Sequence, residues 1–514
     1  MFHLAEYKKF TKRRGLPMHA DRPTTERKAL AVNLDPRRYG SFAEIGAGQE
    51  VVRWFFRVGG AAGTIAKSMS AYDMTVSDAI YGQCSRYVSR QRLEDMLDIE
   101  HQLNLQRLSE ARGGSTAFFA FADTVSARNF HGTNDCHGWM GIRFQVNPKD
   151  PDSQIIIHVR MLDSENAAQQ EALGIVGVNL LFGAFFLHHE PERLLESLLD
   201  NLTTRRIEID MIEFSGHGFR HVDNRIMSLK LVQLGLTSAA MFSAAGEVLQ
   251  PSEVLYKKPI LIERGSFRPL THVNMDMLQT AHEKFASQVG TDADQIVTLA
   301  EITMCRLQDN GHVDLNDFIA RAEILAACGM NVLISDYFEY YRLAAYLSRY
   351  TCKKIGITMG AGSLIELFDP KYYANLDGGI LESLGRLFKN DLKLYIYPLL
   401  NQSTGELTTT ANLPIAPEIQ KLYEYLLDRG CIEQLVASDP NHLKTFSREV
   451  LKQIQSGDSD WTNHVPAQVS QLIQQRGYFG CKISGTNTPG LLPSLVTPSD
   501  DSAQLPTGSL QCWQ

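Results

Sequence analysis

The residues whose spacing carries the most chemistry stand in mid-chain, in "ERGSFRPLTHVN", residues 263–274. Gly265 follows the apolar run "PILI"; Ser266, Phe267, Arg268 and Pro269 come next, and a helix is expected to begin near Thr271. A glycine at a strand end lets backbone approach a phosphate, and the N-terminus of the next helix offers unpaired N–H groups and the positive end of a dipole. Phosphate binding is the chemistry this pattern implies, with Arg264 and Arg268 flanking the turn. A tight strand-to-helix turn without a ligand is the plain alternative.

The elements around the turn follow a regular rhythm. From Pro259 onward, "PILIERGSF" reads as strand and glycine turn, "MDMLQTAHEKFASQV" and "DLNDFIARAEILAACG" as helices, "NVLISD" as a strand, "FEYYRLAAYLSRYT" as a helix, and "KIGITMG" and "LKLYIYP" as strands. Helices alternating with short, bare apolar strands imply a parallel sheet covered on both faces. Ligands of such sheets bind at the carboxyl ends of the strands, near a switch point. Upstream, β-type runs ("TAFFAFAD", "GWMGIRFQV", "SQIIIHVRML", "RRIEIDMIEF") mixed with helical stretches give an α+β pattern. The fold class expected is therefore α/β, a Rossmann-like domain with a parallel sheet preceded by an α+β domain. Four segments are expected: a poorly ordered basic N-terminus (1–30), the α+β domain (31–250), the Rossmann-like domain (251–480), and a disordered tail rich in Pro, Ser and Thr (481–514).

A second stretch, "TFSREVLKQIQSGDSDWTNHVPAQVSQLIQQRGYFG", lies near the end of the globular part. Together the two stretches resemble the nucleotidyltransferases that include nicotinate- and nicotinamide-mononucleotide adenylyltransferases. That family carries G-[ST]-F-x-P-x-[HT]-x-x-H after its first strand, and Gly265, Ser266, Phe267, Pro269 and Thr271 match it. Its second motif is matched by Ser447, Val450, Gly457, Val465, Pro466, Val469 and Ile473, with "RGYFG" at the end. The resemblance covers residues 251–480. "YGSFAEIGAGQE", "VLYKKPILIERGSFRP" and "GGILESLGRLFKNDLKLY" are also similar to a larger bacterial family commonly labelled nicotinate-nucleotide adenylyltransferase.

The resemblance implies transfer of AMP from ATP to a mononucleotide, nicotinate or nicotinamide mononucleotide, with Mg²⁺ and release of pyrophosphate. It implies that Gly265, Ser266, Phe267, Arg268, Thr271 and Ser447 hold phosphate and nucleotide, and that Asn274, Arg448 and Lys452 act in catalysis. Two positions depart from the family. Asn274 stands where the second histidine of the first motif belongs, and an amide donates a hydrogen bond but carries no charge. Leu451 stands in place of the second motif's arginine, with Lys452 beside it and Arg448 three residues earlier. His272 would point elsewhere on the helix. The alternative is a degenerate domain that binds or senses a nucleotide while any activity resides in residues 31–250.

Composition bounds the rest. The net charge of −8 over 514 residues provides no global basic field for nucleic acid. The most apolar window, "ALGIVGVNLLFGAFFL", is shorter than a membrane span needs, contains Asn179, and reads as a buried element. Eight cysteines without a C-x-x-C pair indicate neither a zinc ribbon nor a disulfide framework, and fit free thiols in a cytoplasmic protein. The expected partner is a small-molecule nucleotide, not nucleic acid or a membrane; a homo-oligomer is left open. No metal ligands are assigned.

Weaker candidates remain. "GGAAGTIAKS" has Ala66 where a phosphate-binding loop needs glycine before Lys67, so a closely packed small-residue helix is expected. "EIGAGQE" offers a second glycine turn. Asp123, His131, Asp135, Cys136 and His137 are ligand types without a zinc spacing. His158 and Arg160 alternate onto one face of a strand, and Ser215, His217, His221, Asp223 and Arg225 share a glycine-rich stretch in which proximity alone licenses no triad.

Overall fold

Short runs rich in Val, Ile and Phe supply the strands of this protein, and they are gathered into two sheets. The computed structural model describes residues 22–482 apart from 291, 310 and 403. The expectations for residues 1–21 and 483–514 lie outside the described residues. Residues 25–30, expected to be poorly ordered, belong to the helix Thr25–Asn33. Thr24 caps that helix, and the fully buried Lys28 ammonium is held by Asn179 Oδ1 at 2.8 Å and Asp200 Oδ2 at 2.7 Å.

The first sheet contains β1 (Arg38–Gly46), β2 (Ile65–Ala71), β3 (Ala117–Ser126), β4 (His137–Gln145), β5 (Asp152–Met161) and β6 (Ile207–Gly216), in the order β2-β1-β3-β4-β5-β6. β1 runs parallel to both neighbours, and β3 to β6 form an antiparallel meander. The apolar window is a helix, Asn166–Phe186, buried against Phe42, Phe119 and Phe121. Being apolar nearly all round, it can only be covered. The helix Arg90–Arg112 covers the opposite face with Leu93, Met96 and Leu97. "GGAAGTIAKS" is not a helix: Gly59 and Gly60 have positive φ, a single turn (Ala61–Gly63) follows, and Ile65 enters β2. Lys67 meets the buried Glu100 at 2.6 Å.

The second sheet contains β7 (Ala239–Phe242), β8 (Val248–Leu249), β9 (Ile260–Arg264), β10 (Val297–Thr303), β11 (Asn331–Ser335), β12 (Ile355–Gly360), β13 (Leu392–Tyr397) and β14 (Ile432–Gln434). β11-β10-β9-β12-β13-β14 are adjacent in that order and parallel. Counted from β9, this is the 3-2-1-4-5-6 order of doubly wound nucleotide-binding sheets, and its switch point lies between β9 and β12. Apolar clusters cover both faces. β7 and β8 extend the sheet antiparallel beyond β11, so residues 239–249 pair with the second sheet. The helix Asn224–Gln233 packs on β6, β7 and β11 and joins the two sheets.

Candidate functional site

β9 ends at Arg264, on the carboxyl edge of the parallel sheet beside the switch point, and the glycine turn leads into the helix His272–Val289. Thr271 is the N-cap residue, and Asn274 closes a capping box. Asn274 Oδ1 accepts the Thr271 N–H at 3.1 Å and the Thr271 O–H at 2.9 Å, while Asn274 Nδ2 donates to Glu263 Oε1 at 2.7 Å. Glu263 is fully buried, and its second oxygen has no hydrogen-bond partner among the described residues. Burial pushes its carboxyl up to about 8, against a smaller downward effect of the Asn274 hydrogen bond.

Gly265 has a use the sequence did not show. The buried Phe267, at φ +47°, folds its ring back over Gly265, where an added Cβ would lie 2.7 Å from the ring. The missing side chain admits Phe267 rather than leaving open space above the turn. Ser266 is half-buried, and its carbonyl accepts from Arg321 at 3.2 Å.

The flanking arginines are committed. Arg264 donates to both oxygens of buried Glu301, at 2.8 and 2.9 Å, and to Phe338 O at 2.6 Å, with its guanidinium 4.3 Å from the Tyr340 ring centre. Arg268 Nε lies 2.6 Å from Asp317 Oδ1, and Asp317 also pairs with Arg321. Beyond the strand ends a crevice is lined by Arg264, Thr303, Arg306, Tyr340, Ser363 and Tyr372. Arg306 is exposed there, and among the described residues it forms no ion pair.

The second motif comes to the same end of the sheet. Ser447 begins the helix Ser447–Ser456, whose Val450 and Ile454 pack in the cluster holding Phe267, Leu270 and Met277. Ser447 is half-buried; Arg448 and Lys452 are exposed, one helical turn apart. His272 does point away from Asn274: its ring stacks on His442 at 5.3 Å. Burial, then His442 and His464, lower its pKa. Nearby, Asp276 accepts from the Ser438 N–H at 3.0 Å and from the Ser438 and Tyr397 hydroxyls.

Sequence reasoning missed Glu263, Glu301, Arg306 and Arg321. The signal for Glu263 was a carboxylate inside "ILIER", a strand buried at every position.

Glu44 on β1 and Asp123 on β3 stand opposite each other, both buried. Glu44 accepts the Val51 N–H at 2.9 Å, where the "EIGAGQE" turn enters a helix, and Gly48 lies tight against the Asp123 carboxylate. Desolvation, opposed by the Val51 and Val52 N–H bonds, raises Glu44 to about 8; desolvation and the Glu44 charge raise Asp123 well above the usual range. His158 Nδ1 lies 2.6 Å from Asp210 Oδ1, its Nε2 lies 3.0 Å from His137 Nδ1, and Gln250 joins from the inter-sheet connection. Arg160 pairs with Glu208 at 2.7 Å. Asp223 pairs with Arg225. Among the described residues no three His, Cys, Asp or Glu side chains are grouped to hold a metal ion.

Near the turn Glu301 is held by Arg264 and Ser335, Asp317 by Arg268 and Arg321, and Glu263 is enclosed behind Asn274. These residues do not form a Mg²⁺ site. Nucleotide-bound Mg²⁺ keeps phosphate and water ligands, which needs no such cage.

No family model and no curated protein sequence matches the chain. Among solved structures, nicotinic acid mononucleotide adenylyltransferase of Plasmodium falciparum, in complex with APC, is similar at 12% identity and a TM-score of 0.28, over 44% of this chain and 100% of that one. The competence/damage inducible protein CihA of Agrobacterium tumefaciens is similar at 15% identity and a TM-score of 0.24, over 31% of this chain and 96% of that one. The α/β class rests on the strand order itself. No helix among the described residues is long and apolar enough to cross a membrane.

Proposed function

We propose that residues 251–480 bind a nucleotide at the β9/β12 switch point and transfer AMP from ATP to a mononucleotide, nicotinate or nicotinamide mononucleotide, releasing pyrophosphate. The supporting observation is the meeting of the two motifs: Phe267 and Leu270 of the first and Val450 and Ile454 of the second share one apolar cluster on a face of the sheet. In this reaction an acceptor phosphate oxygen attacks the α-phosphorus of ATP, and the bond to the β-phosphate breaks. The protein's share is position and charge. The helix beginning at His272 presents its N–H groups to the phosphates, Asn274 donates its second amide N–H, and the Ser266 and Ser447 hydroxyls complete the cradle. Arg448 and Lys452, both exposed, and Arg306 on the crevice form no ion pair among the described residues and would meet the β- and γ-phosphates. ATP brings Mg²⁺ with it as a counter-ion. This reading divides the chain near residue 250, leaves residues 31–250 with a separate role, and sets the work in the cytoplasm on a small molecule, away from nucleic acid and membranes.

A second reading, nucleotide sensing without turnover, is favoured by one observation: Arg264 and Arg268 are committed to Glu301 and Asp317. Isothermal titration with ATP and Mg²⁺, then with nicotinate mononucleotide, separates the two when pyrophosphate is followed in the same samples. Heat with pyrophosphate release is the expected result. Heat without release leaves sensing, and no heat with ATP sinks both readings. Gly265→Trp, which would displace Phe267, should abolish the heat.

A further inference from the structure

The Thr271–Asn274–Glu263 chain fixes the orientation of an amide. Thr271 offers two donors, N–H and O–H, so the Asn274 atom facing it must be the oxygen; Nδ2 then faces Glu263. An amide nitrogen carries two hydrogens, and Glu263 takes one. The other belongs to a half-exposed residue on the first turn of a helix, at the carboxyl edge of the sheet. Glu263 itself is closed in. Its cross-strand neighbours are Ala300 on β10 and Thr358 on β12, neither charged, and Thr358 gives its hydroxyl to Tyr395 O at 3.3 Å. The next residue, Arg264, is turned to Glu301. From the helix, Asn274 is the group that reaches Glu263.

We propose that Glu263 is the positioning residue of the nucleotide site, holding Asn274 so that the second amide N–H meets a phosphate oxygen of the nucleotide, and that ionisation of Glu263 expels that phosphate. The inference rests on the nucleotide-binding reading above. With its proton on, the carboxyl group is neutral and still accepts from Asn274. With the proton off, a buried anion stands one residue behind the phosphate, with no cation among the described residues paired to it to offset the charge. Burial holds the proton on at neutral pH and releases it near pH 8. Nucleotide affinity is therefore full below that point and falls above it.

The test is titration of the full chain with ATP from about pH 6.5 to about pH 9.5, for the protein as it stands and for Glu263→Gln. The readout is the ratio of Kd across that range, not its level. A phosphate a few ångströms from a newly buried charge should bind at least about tenfold more weakly at the alkaline end. Glu263→Gln keeps an oxygen for Asn274 and has no proton to lose, so its ratio should be flat apart from the titration of ATP, which both proteins share. Equal ratios, with both proteins binding ATP, overturn the inference and leave the nucleotide reading intact. Absence of ATP binding at every pH overturns both. Should Glu263→Gln fail to fold, Asn274→Ala supplies the second arm: it should weaken ATP binding by about tenfold at neutral pH, and binding like that of the unchanged protein would overturn the inference.

Discussion

Carboxyl groups buried with no countercharge among the described residues set the pH behaviour of single residues here. Glu44 is the clearest after Glu263. It is almost fully buried, its carboxyl lies opposite Asp123, and it is raised to about 8. The sign follows from linkage. In the unfolded chain Glu44 ionises near its ordinary value, whereas in the fold it keeps its proton, so it weakens the fold progressively as pH rises from about 4.5 to about 8. Glu44→Gln should match the unchanged protein near pH 4.5 and exceed it increasingly up to about pH 8.5, by on the order of several kcal/mol, read as urea midpoints at the two pH values. A constant difference across pH would sink this account. At this scale the sequence was partly legible. Gly265, Phe267 and Thr271 belong to a turn with a distinctive spacing, and that turn is found where it was expected. The partners of Arg264 and Arg268 were not legible, because Glu301 and Asp317 come from other elements, and only the strand order brings them near.

Elements were easier to read than residues, because periodicity reports burial directly. The bare strands after Pro259 and the alternating helices pointed to the parallel sheet, and the apolar run pointed to a buried element, which in the structure is the helix Asn166–Phe186. The stretch at residues 59–68 misled because glycine and alanine suit a close helix contact and a turn before a strand equally well; pairing with β1 decides it. Close helix contact occurs elsewhere, at Gly174 and Gly177. A Cβ on Gly177 would lie 2.4 Å from the Val51 side chain, and one on Gly174 2.8 Å from Trp54 Nε1. The helices Val51–Val58 and Asn166–Phe186 approach through these two gaps. Gly177→Leu should force them apart and lower stability by about 1–3 kcal/mol, an overpacking cost that offsets any gain in helix propensity. A higher urea midpoint for this variant would mean that the helices are not in close contact.

Taken whole, the molecule is two sheets joined through the helix Asn224–Gln233 and by apolar contacts such as Val248 with Trp139 and Met211, and a polar seam between them should titrate. His137, His158 and Asp210 form a chain on β4, β5 and β6, and Gln250 enters it from the connection to the second sheet. Tyr346 and Tyr350, on the second-sheet side, feel the Asp210 charge. Burial foremost, then His158, Arg86 and Arg160, push His137 down to about 4, and Asp210 opposes them only in part. The unfolded chain protonates His137 near pH 6.5, but the fold does so only near pH 4. Stability therefore falls as pH drops through that window, by up to about 1.4 kcal/mol per unit. His137→Asn cannot take up the proton and should flatten this part of the stability–pH profile, while losing some stability at pH 7 where its contact with His158 is disturbed. The loss should also be local. Amide exchange near pH 5 should rise first around β4, β5 and the 249–254 connection, because protonated His137 would stand beside the like charges of Arg86 and of its cross-strand neighbour Arg160. Uniform exchange over both sheets would instead mean that the seam carries no separate weakness and that the two sheets open as one unit.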